Sequence, residues 1–166
     1  VMLIIDAIAL WLILKRRKKQ AEAEAELPPY NWAMLKLKEI RERNMFSSGQ
    51  ERLYFTTLTE VLRIYLLRRF DINAMEMTSS QILASLPTHI PGVKEGKPRL
   101  KDVLQMADFV KFAKHKPSTD DNIRAFNNAV QFVELTRPLV DETASGDGAQ
   151  ETETTQESQS ENTTLD

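Results

Sequence analysis

Apolar side chains recur at intervals of three and four residues in five segments between residues 30 and 140. This spacing places them on one face of an α-helix, and no segment alternates strictly as a half-buried β-strand would. The segment around Val61 is apolar on more than one side, so we expect it at the centre of a bundle. The pattern predicts an all-α fold, a small bundle of about five helices over residues 30–44, 49–69, 79–86, 98–114 and 119–137.

Short polar motifs mark the expected beginnings of three of these helices. Ser48 is followed three residues later by Glu51, and Thr78 by Gln81, which is the spacing of a capping box. Ser118 precedes an acidic turn, where negative charge suits the helix dipole. These motifs favour helix starts at the same places as the apolar pattern.

The run from residue 87 to residue 98 is rich in Pro and Gly, so we interpret it as a flexible loop, with the fourth helix starting near Pro98. Within it, Gly92, Gly96 and Lys97 partly match a phosphate-binding loop. The match fails because three residues rather than four separate the glycines, and Pro98 replaces the hydroxyl residue that would hold magnesium. We therefore expect no nucleotide site there.

The remaining chemistry is sparse. The chain has no cysteine and only two histidines, His89 and His115, which lie far apart and outside any nucleophile motif. The absence of cysteine excludes disulfides and Cys-based metal sites. The pairs Asp120–Asp121 and Arg68–Arg69 are typical of helix ends and need no ligand. We expect no catalytic residue, no metal, no cofactor and no small-molecule substrate.

The first fourteen residues are almost wholly apolar, and five consecutive bases follow them. Because fourteen helical residues span roughly 21 Å of a ~30 Å hydrocarbon core, we interpret residues 1–14 as the C-terminal part of a transmembrane helix begun in a longer precursor. Residues 15–29 form the basic cluster and a charged linker. An aromatic belt residue and a stop-transfer cluster predict that the rest of the chain lies in the cytoplasm. The predicted anchor residues are Trp11, Lys15, Arg16, Arg17, Lys18 and Lys19.

Asp6 interrupts the apolar run. A carboxylate within a membrane helix is costly and often marks a partner contact. The simpler interpretation, which we favour, is a position near the outer leaflet or protonation of Asp6, and both interpretations stay open.

Charge is distributed unevenly along the chain. Residues 141–166 carry eight acids and no base, so residues 1–140 have 22 bases and 16 acids, a net charge of +6. The tail is almost free of apolar residues, which predicts disorder. Five of the bases belong to the cluster after residue 14, so the helical domain at residues 30–140 is near neutral, and binding of nucleic acid gains little support.

One stretch of the fourth predicted helix has the composition of a binding surface. Phe109, Lys111, Phe112 and Lys114 place two aromatic rings and two cations at a helix end, as in an interface hot spot. The alternative is one core Phe and one rim Phe flanked by solvated lysines. The two interpretations differ in how much of each ring should be exposed.

The stretches TTLTEVLRIYLLRRFDINAMEMTSSQIL at residues 56–83, LQMADFVKFAKHKPS at 104–118 and FVELTRP at 132–138 resemble a known family. They are similar to the cytoplasmic tail domain of single-span, BatD-like proteins from bacterial aerotolerance (Bat) operons. The resemblance implies a single-pass envelope protein of the bacterial inner membrane, from a family with no established enzymatic activity. It also implies two kinds of protein partner, a MoxR-type AAA+ ATPase and membrane proteins with von Willebrand factor A domains.

These observations favour a non-enzymatic, membrane-anchored adaptor or scaffold whose helical domain docks a cytoplasmic ATPase or a neighbouring subunit. The alternative is a membrane-tethered helical regulator that binds nucleic acid. The alternative requires one continuous basic face built from Lys36, Lys38, Arg41, Arg43, Arg63, Arg68 and Arg69, although acids lie among these bases.

The basic cluster generates a prediction about topology. Because the bases follow the apolar segment, we expect the C-terminus to lie in the cytoplasm. A reporter fused after Asp166 should therefore be active only if it functions in the cytoplasm. Paired fusions to alkaline phosphatase and to a fluorescent protein measure this. High phosphatase activity would place the C-terminus in the periplasm and contradict the assignment.

Overall fold

The computed structural model describes residue 15, residues 22–43 and residues 49–139. The predicted membrane segment with Asp6 and Trp11, the bases at 16–19 and the predicted disordered tail therefore lie outside the described residues. Lys15 is helical and exposed. Among the residues described, no helix combines the length and the apolar character that crossing a membrane requires.

The part of the chain that the structure describes is all-helical and has no strand, which confirms the predicted fold class. A short 3-10 turn separates the second and third helices. The elements are α1 (Pro29–Glu42), α2 (Glu51–Phe70), the 3-10 turn (Ala74–Glu76), α3 (Ser79–Ser85), α4 (Val93–Phe112) and α5 (Thr119–Leu135).

Two of the predicted capping motifs are present as hydrogen bonds. The hydroxyl of Thr78 accepts from the backbone N–H of Gln81, whose side chain accepts from the Thr78 N–H. Ser118 and Asp121 make the same reciprocal pair at the start of α5. At α2 the carboxylate of Glu51 accepts from the backbone N–H of Gly49 at 3.0 Å, while Ser48 lies outside the described residues.

Helix α2 is the centre of the bundle, as its apolar pattern predicts. It contacts α1, α4, α5 and the 3-10 turn. Because neighbours cover it on several sides, its apolar residues are excluded from water over most of its circumference. The buried residues of α2 are Tyr54, Phe55, Leu58, Thr59, Val61, Leu62, Tyr65 and Leu66.

Helix α4 begins at Val93, so the prediction of a flexible loop up to Pro98 is wrong. Pro98 lies inside the helix near its start, where the missing backbone donor removes only one hydrogen bond. The segment is held by packing, since α4 and α5 form the most extensive helix pair of the fold. A Cβ on Gly92 would lie 1.7 Å from the backbone oxygen of Leu135, and one on Gly96 would lie 2.9 Å from the ring of Phe132. Two glycines thus let α4 start directly against the end of α5.

The register of α5 also differs from the prediction at one position. The apolar spacing of this segment predicts a core stripe of Ile123, Phe126, Val130 and Val133, but Ile123 is 46% exposed. Phe126 and Val133 are buried and Val130 is half-buried. The polar residue Asn122 is buried instead. Its backbone carbonyl accepts a hydrogen bond from Tyr54 of α2, while its side-chain oxygen has no hydrogen-bond partner among the described residues.

Two tyrosines of α2 hold the two ends of α5. The hydroxyl of Tyr54 donates to the backbone oxygen of Asn122 at 3.0 Å. The hydroxyl of Tyr65 lies 3.0 Å from Oγ1 of Thr136. Burial raises the pKa of both phenols, so both remain neutral. These contacts make α2 and α5 run in the same direction.

The close approach at Gly92 generates a prediction with a matched control. Both glycines have a positive φ, +80° at Gly92 and +94° at Gly49, so alanine at either position strains the backbone. Gly92→Ala also places its Cβ against the Leu135 backbone, whereas the Cβ of Gly49→Ala lies in open space. We expect the control to lower the free energy of unfolding by about 1 kcal/mol and Gly92→Ala to lower it by at least ~2 kcal/mol more. Urea unfolding followed by circular dichroism measures both. Equal losses would show that α4 does not depend on this contact.

Candidate interaction surface

The helix directions define two ends of the bundle. The first turns of α2 and α5 lie at one end, because Tyr54 contacts Asn122. The last turn of α4 lies near the same end, because α4 starts against Leu135 at the end of α5 and runs antiparallel to α5. Nζ of Lys111 donates to Oγ1 of Thr59, in the middle of α2, at 3.0 Å. We call this the aromatic end, and the opposite end, with the last turns of α2 and α5, the stalk end.

The segment that precedes α1, which we call the stalk (residues 22–28), is held at the opposite end by Arg68. Nη2 of Arg68 donates to the backbone oxygens of Ala25 at 2.9 Å and Leu27 at 2.6 Å. The same guanidinium lies over the ring of Trp32, 5.3 Å from its centre. Fifteen residues separate Leu53 from Arg68 along α2, which corresponds to roughly 22 Å at the helical rise.

A second contact fixes the stalk to α1. Nζ of Lys36 lies 2.7 Å from the carboxylate of Glu24 and 3.2 Å from that of Glu39. Residues 22–26 are helical, and Leu27 packs against the core. The predicted charged linker is therefore attached to the bundle over its described part.

Both aromatic residues of the predicted binding surface are exposed. Phe109 is 57% and Phe112 is 80% accessible to solvent. The interpretation of one core ring and one rim ring is wrong, because neither ring enters the core. The buried face of α4 is formed instead by Val93, Gly96, Leu100, Val103, Leu104, Ala107 and Val110.

Lys111 differs from the other three predicted residues because it turns back onto the bundle. Its Nζ donates to the hydroxyl of Thr59, and that hydroxyl donates to the backbone oxygen of Phe55 at 2.8 Å. Partial burial, and next the charge of Arg63, lower the pKa of the Lys111 ammonium. Lys111 therefore holds α4 to α2 and is not a freely available cation.

The chain reverses sharply after Phe112. Lys114 has a left-handed φ of +54°, and the backbone oxygen of Phe109 accepts from the N–H groups of both Ala113 at 3.0 Å and His115 at 3.2 Å. Lys114, His115 and Lys116 are all exposed, and no acid occurs between residues 109 and 119. The rings of the last turn are thus flanked by positive charge.

Two exposed apolar residues at the same end were not predicted. Leu53 lies in the first turn of α2 and Ile123 in the first turns of α5. Apolar periodicity alone assigns such residues to the core, and only the register of the neighbouring helices reveals their exposure. The aromatic end therefore exposes four large apolar side chains, of Leu53, Phe109, Phe112 and Ile123.

The bases proposed for nucleic-acid binding serve mainly in contacts within the bundle. Arg63 donates to the backbone oxygens of Ala74 and Met77, and Arg69 donates to that of Thr136 at 3.2 Å. Arg68 and Lys36 hold the stalk. Of the remaining three, Lys38 lies 3.7 Å from Glu42 and Arg41 lies over the ring of Phe126. This arrangement does not provide the continuous basic face that the alternative requires.

Comparison of the chain with protein-family models, curated proteins and solved structures found no match. The similarity to the tail domains of Bat-operon proteins therefore stays a prediction from the sequence. The exposed rings, the flanking bases and the position of the stalk are the observations on which a function can be argued.

The exposure of the two rings predicts how stability responds to their removal. We expect Phe109→Ala and Phe112→Ala to change the free energy of unfolding by less than about 1 kcal/mol, as for ordinary surface positions. The buried controls Phe55→Ala and Phe132→Ala should each cost roughly 3–5 kcal/mol. Thermal and urea unfolding measure the four variants. A loss at Phe109 comparable to that at Phe132 would mean that the ring belongs to the core.

Proposed function

We propose that this chain is a non-enzymatic adaptor of a bacterial envelope system, anchored in the inner membrane by its N-terminal segment. The helical bundle docks a soluble protein, or the soluble part of a neighbouring subunit, through the aromatic end. The observation that carries this proposal is the exposure of Phe109 and Phe112 on the last turn of one helix. Fully burying a side chain of this size is worth about 1.5–3 kcal/mol, so a partner that covers both rings gains substantial affinity.

The charges around the rings support a particular kind of partner surface. Lys114 and Lys116 flank the rings, and Arg52 lies exposed on the neighbouring turn of α2. A partner with an apolar pocket and an acidic rim would complement this end, and charge complementarity would speed the encounter. Aromatic anchors surrounded by charge are the usual composition of an energetically dominant contact.

The position of the stalk supports a partner that approaches from the side away from the bilayer. The stalk lies at one end of α2, and the rings lie on the last turn of α4, whose first turn lies at the stalk end. If the stalk leads to the membrane, the rings are separated from it by most of the length of the bundle. A cytoplasmic protein can reach such a surface without displacing lipid.

The resemblance of the sequence to Bat-operon tail domains suggests which proteins to test. It implies a MoxR-type AAA+ ATPase and membrane proteins with von Willebrand factor A domains as partners. The ATPase is the candidate that best suits the geometry, because it approaches from the cytoplasm. Membrane proteins with a cytoplasmic von Willebrand factor A domain form the second group.

The proposal predicts the result of co-purification from the source bacterium. The full chain carrying Phe109→Ser and Phe112→Ser should lose the ATPase or the von Willebrand factor A protein that the wild-type chain retains, because two anchors of this kind contribute 2 kcal/mol or more each, roughly. Leu139→Ser is the matched control, since Leu139 is 77% exposed but follows α5 at the stalk end. Quantitative mass spectrometry of detergent extracts measures the losses.

A charge variant separates electrostatic from apolar contributions in the same experiment. Lys114→Glu with Lys116→Glu should weaken co-purification, and both residues are exposed. Lys111→Glu is unsuitable as a surface probe because Lys111 is bonded to the buried Thr59. Retention of the partner at wild-type level by both the serine and the glutamate variants would refute docking at the aromatic end.

A further inference from the structure

The stalk end contains a pocket that the proposed docking surface does not use. It has a volume of about 420 Å³ and lies between the first turn of α1, the first half of α4 and the end of α5. The residues that line it are Tyr30, Arg99, Gln131, Glu134, Leu135 and Arg137. We call it the arginine pocket.

The two arginines of this pocket differ from the three arginines of α2 that donate to backbone oxygens. Arg63, Arg68 and Arg69 each donate to backbone oxygens. Within the part of the chain that the structure describes, the side chains of Arg99 and Arg137 have neither a hydrogen bond nor an ion pair, although Glu134 lines the same pocket. The Nε atom of Arg99 is buried without a partner.

An unpaired guanidinium in a partly buried position is unfavourable unless an acceptor reaches it. Guanidinium groups present planar sets of donors that match the oxygens of a phosphate, and two of them can share one anion. The hydroxyl of Tyr30 and the amide of Gln131 add neutral donors at the rim. The lining therefore has the chemistry of a site for a phosphate group.

The surroundings of the pocket point to the source of that phosphate. Leu135 of the lining and Leu139, two residues beyond Arg137, are exposed apolar residues. Lys94 lies exposed and Lys97 half-buried at the start of α4, at this same end. Leucines mixed with bases at the end to which the stalk is fixed are the composition of a surface that meets an anionic bilayer.

We propose that the arginine pocket binds the phosphate of an anionic phospholipid headgroup, so that the stalk end rests on the membrane surface. The choice of lipid as the source rests on the membrane anchor of the proposed function. Because the anchor keeps the pocket close to the headgroups, a weak intrinsic affinity is sufficient for high occupancy. With the pocket on the surface, the aromatic end projects by about the length of α2, whose 20 residues span roughly 30 Å.

The test uses the full chain in non-ionic detergent, titrated with soluble short-chain lipids. Dihexanoyl-phosphatidylglycerol supplies the anionic headgroup, dihexanoyl-phosphatidylcholine a zwitterionic one, and inorganic phosphate the free anion. The Nε–H resonances of Arg99 and Arg137 in nitrogen-15 NMR spectra report on occupancy of the pocket. We expect phosphatidylglycerol to shift both resonances saturably and with a lower Kd than either of the other two ligands.

Variants identify the site. Arg99→Gln with Arg137→Gln should raise the Kd for phosphatidylglycerol at least about tenfold, as expected for the loss of charge-assisted hydrogen bonds. Arg52→Gln with Lys114→Gln removes the same charge at the aromatic end and should leave the Kd within about twofold, because distant exposed charges are screened. If the double pocket variant does not fold, Arg137→Gln alone carries the prediction, since Arg137 is exposed.

Three results would overturn the proposal. They are an unchanged Kd in the pocket variants, equal binding of phosphatidylcholine, and binding of inorganic phosphate without binding of phosphatidylglycerol. None of them depends on the protein partner, because the titration contains no second protein. Loss of docking at Phe109 and Phe112 with intact lipid binding would therefore refute the proposed function alone.

Discussion

Two hydrogen-bonded tyrosines decide the layout of this bundle. Tyr54 and Tyr65 lie three turns apart on the most buried helix, and each places its hydroxyl against one end of α5. Sliding α5 by one turn would remove the partners of both hydroxyls, and this is unfavourable because a buried phenol without a hydrogen-bond partner costs free energy. The direction of α5 relative to α2 follows from this pair. The close packing of α4 on α5 then brings the last turn of α4 to the end where α2 begins.

The arginine and lysine side chains fall into two groups, those that donate hydrogen bonds within the bundle and those that do not. At the stalk end, Arg68 and Arg69 satisfy backbone oxygens that helix termini leave without partners. Along α2, Arg63 does the same for the 3-10 turn. Cations that are occupied in this way act as part of the scaffold. Among the described residues, the cations beside the exposed rings and those of the arginine pocket, at opposite ends of the molecule, are left for other roles.

Much of this arrangement could be predicted from the sequence, because it rests on local patterns. The helix periodicity, the capping pairs at Thr78 and Ser118 and the burial of α2 are all properties of neighbouring residues. The early start of α4 could not be predicted, since Gly and Pro locally favour a loop and the packing of Gly92 against Leu135 overrides them. The contact of Lys111 with α2 could not be predicted either, because its partner Thr59 is far from it in the sequence. The arginine pocket has no local signature, since its lining comes from three helices.

The attachment of the stalk by Arg68 has a mechanical consequence. A free tether would let the bundle tumble and sweep its exposed rings through a wide volume. A stalk bonded at Ala25 and Leu27 instead moves together with the bundle over residues 22–28. If the proposed membrane anchor continues into this stalk, Phe109 and Phe112 stay within a thin layer at one height above the lipid. Encounter with a membrane-bound partner then becomes a search in two dimensions. A protein whose binding surface for the two rings lies at another height above the lipid cannot reach them.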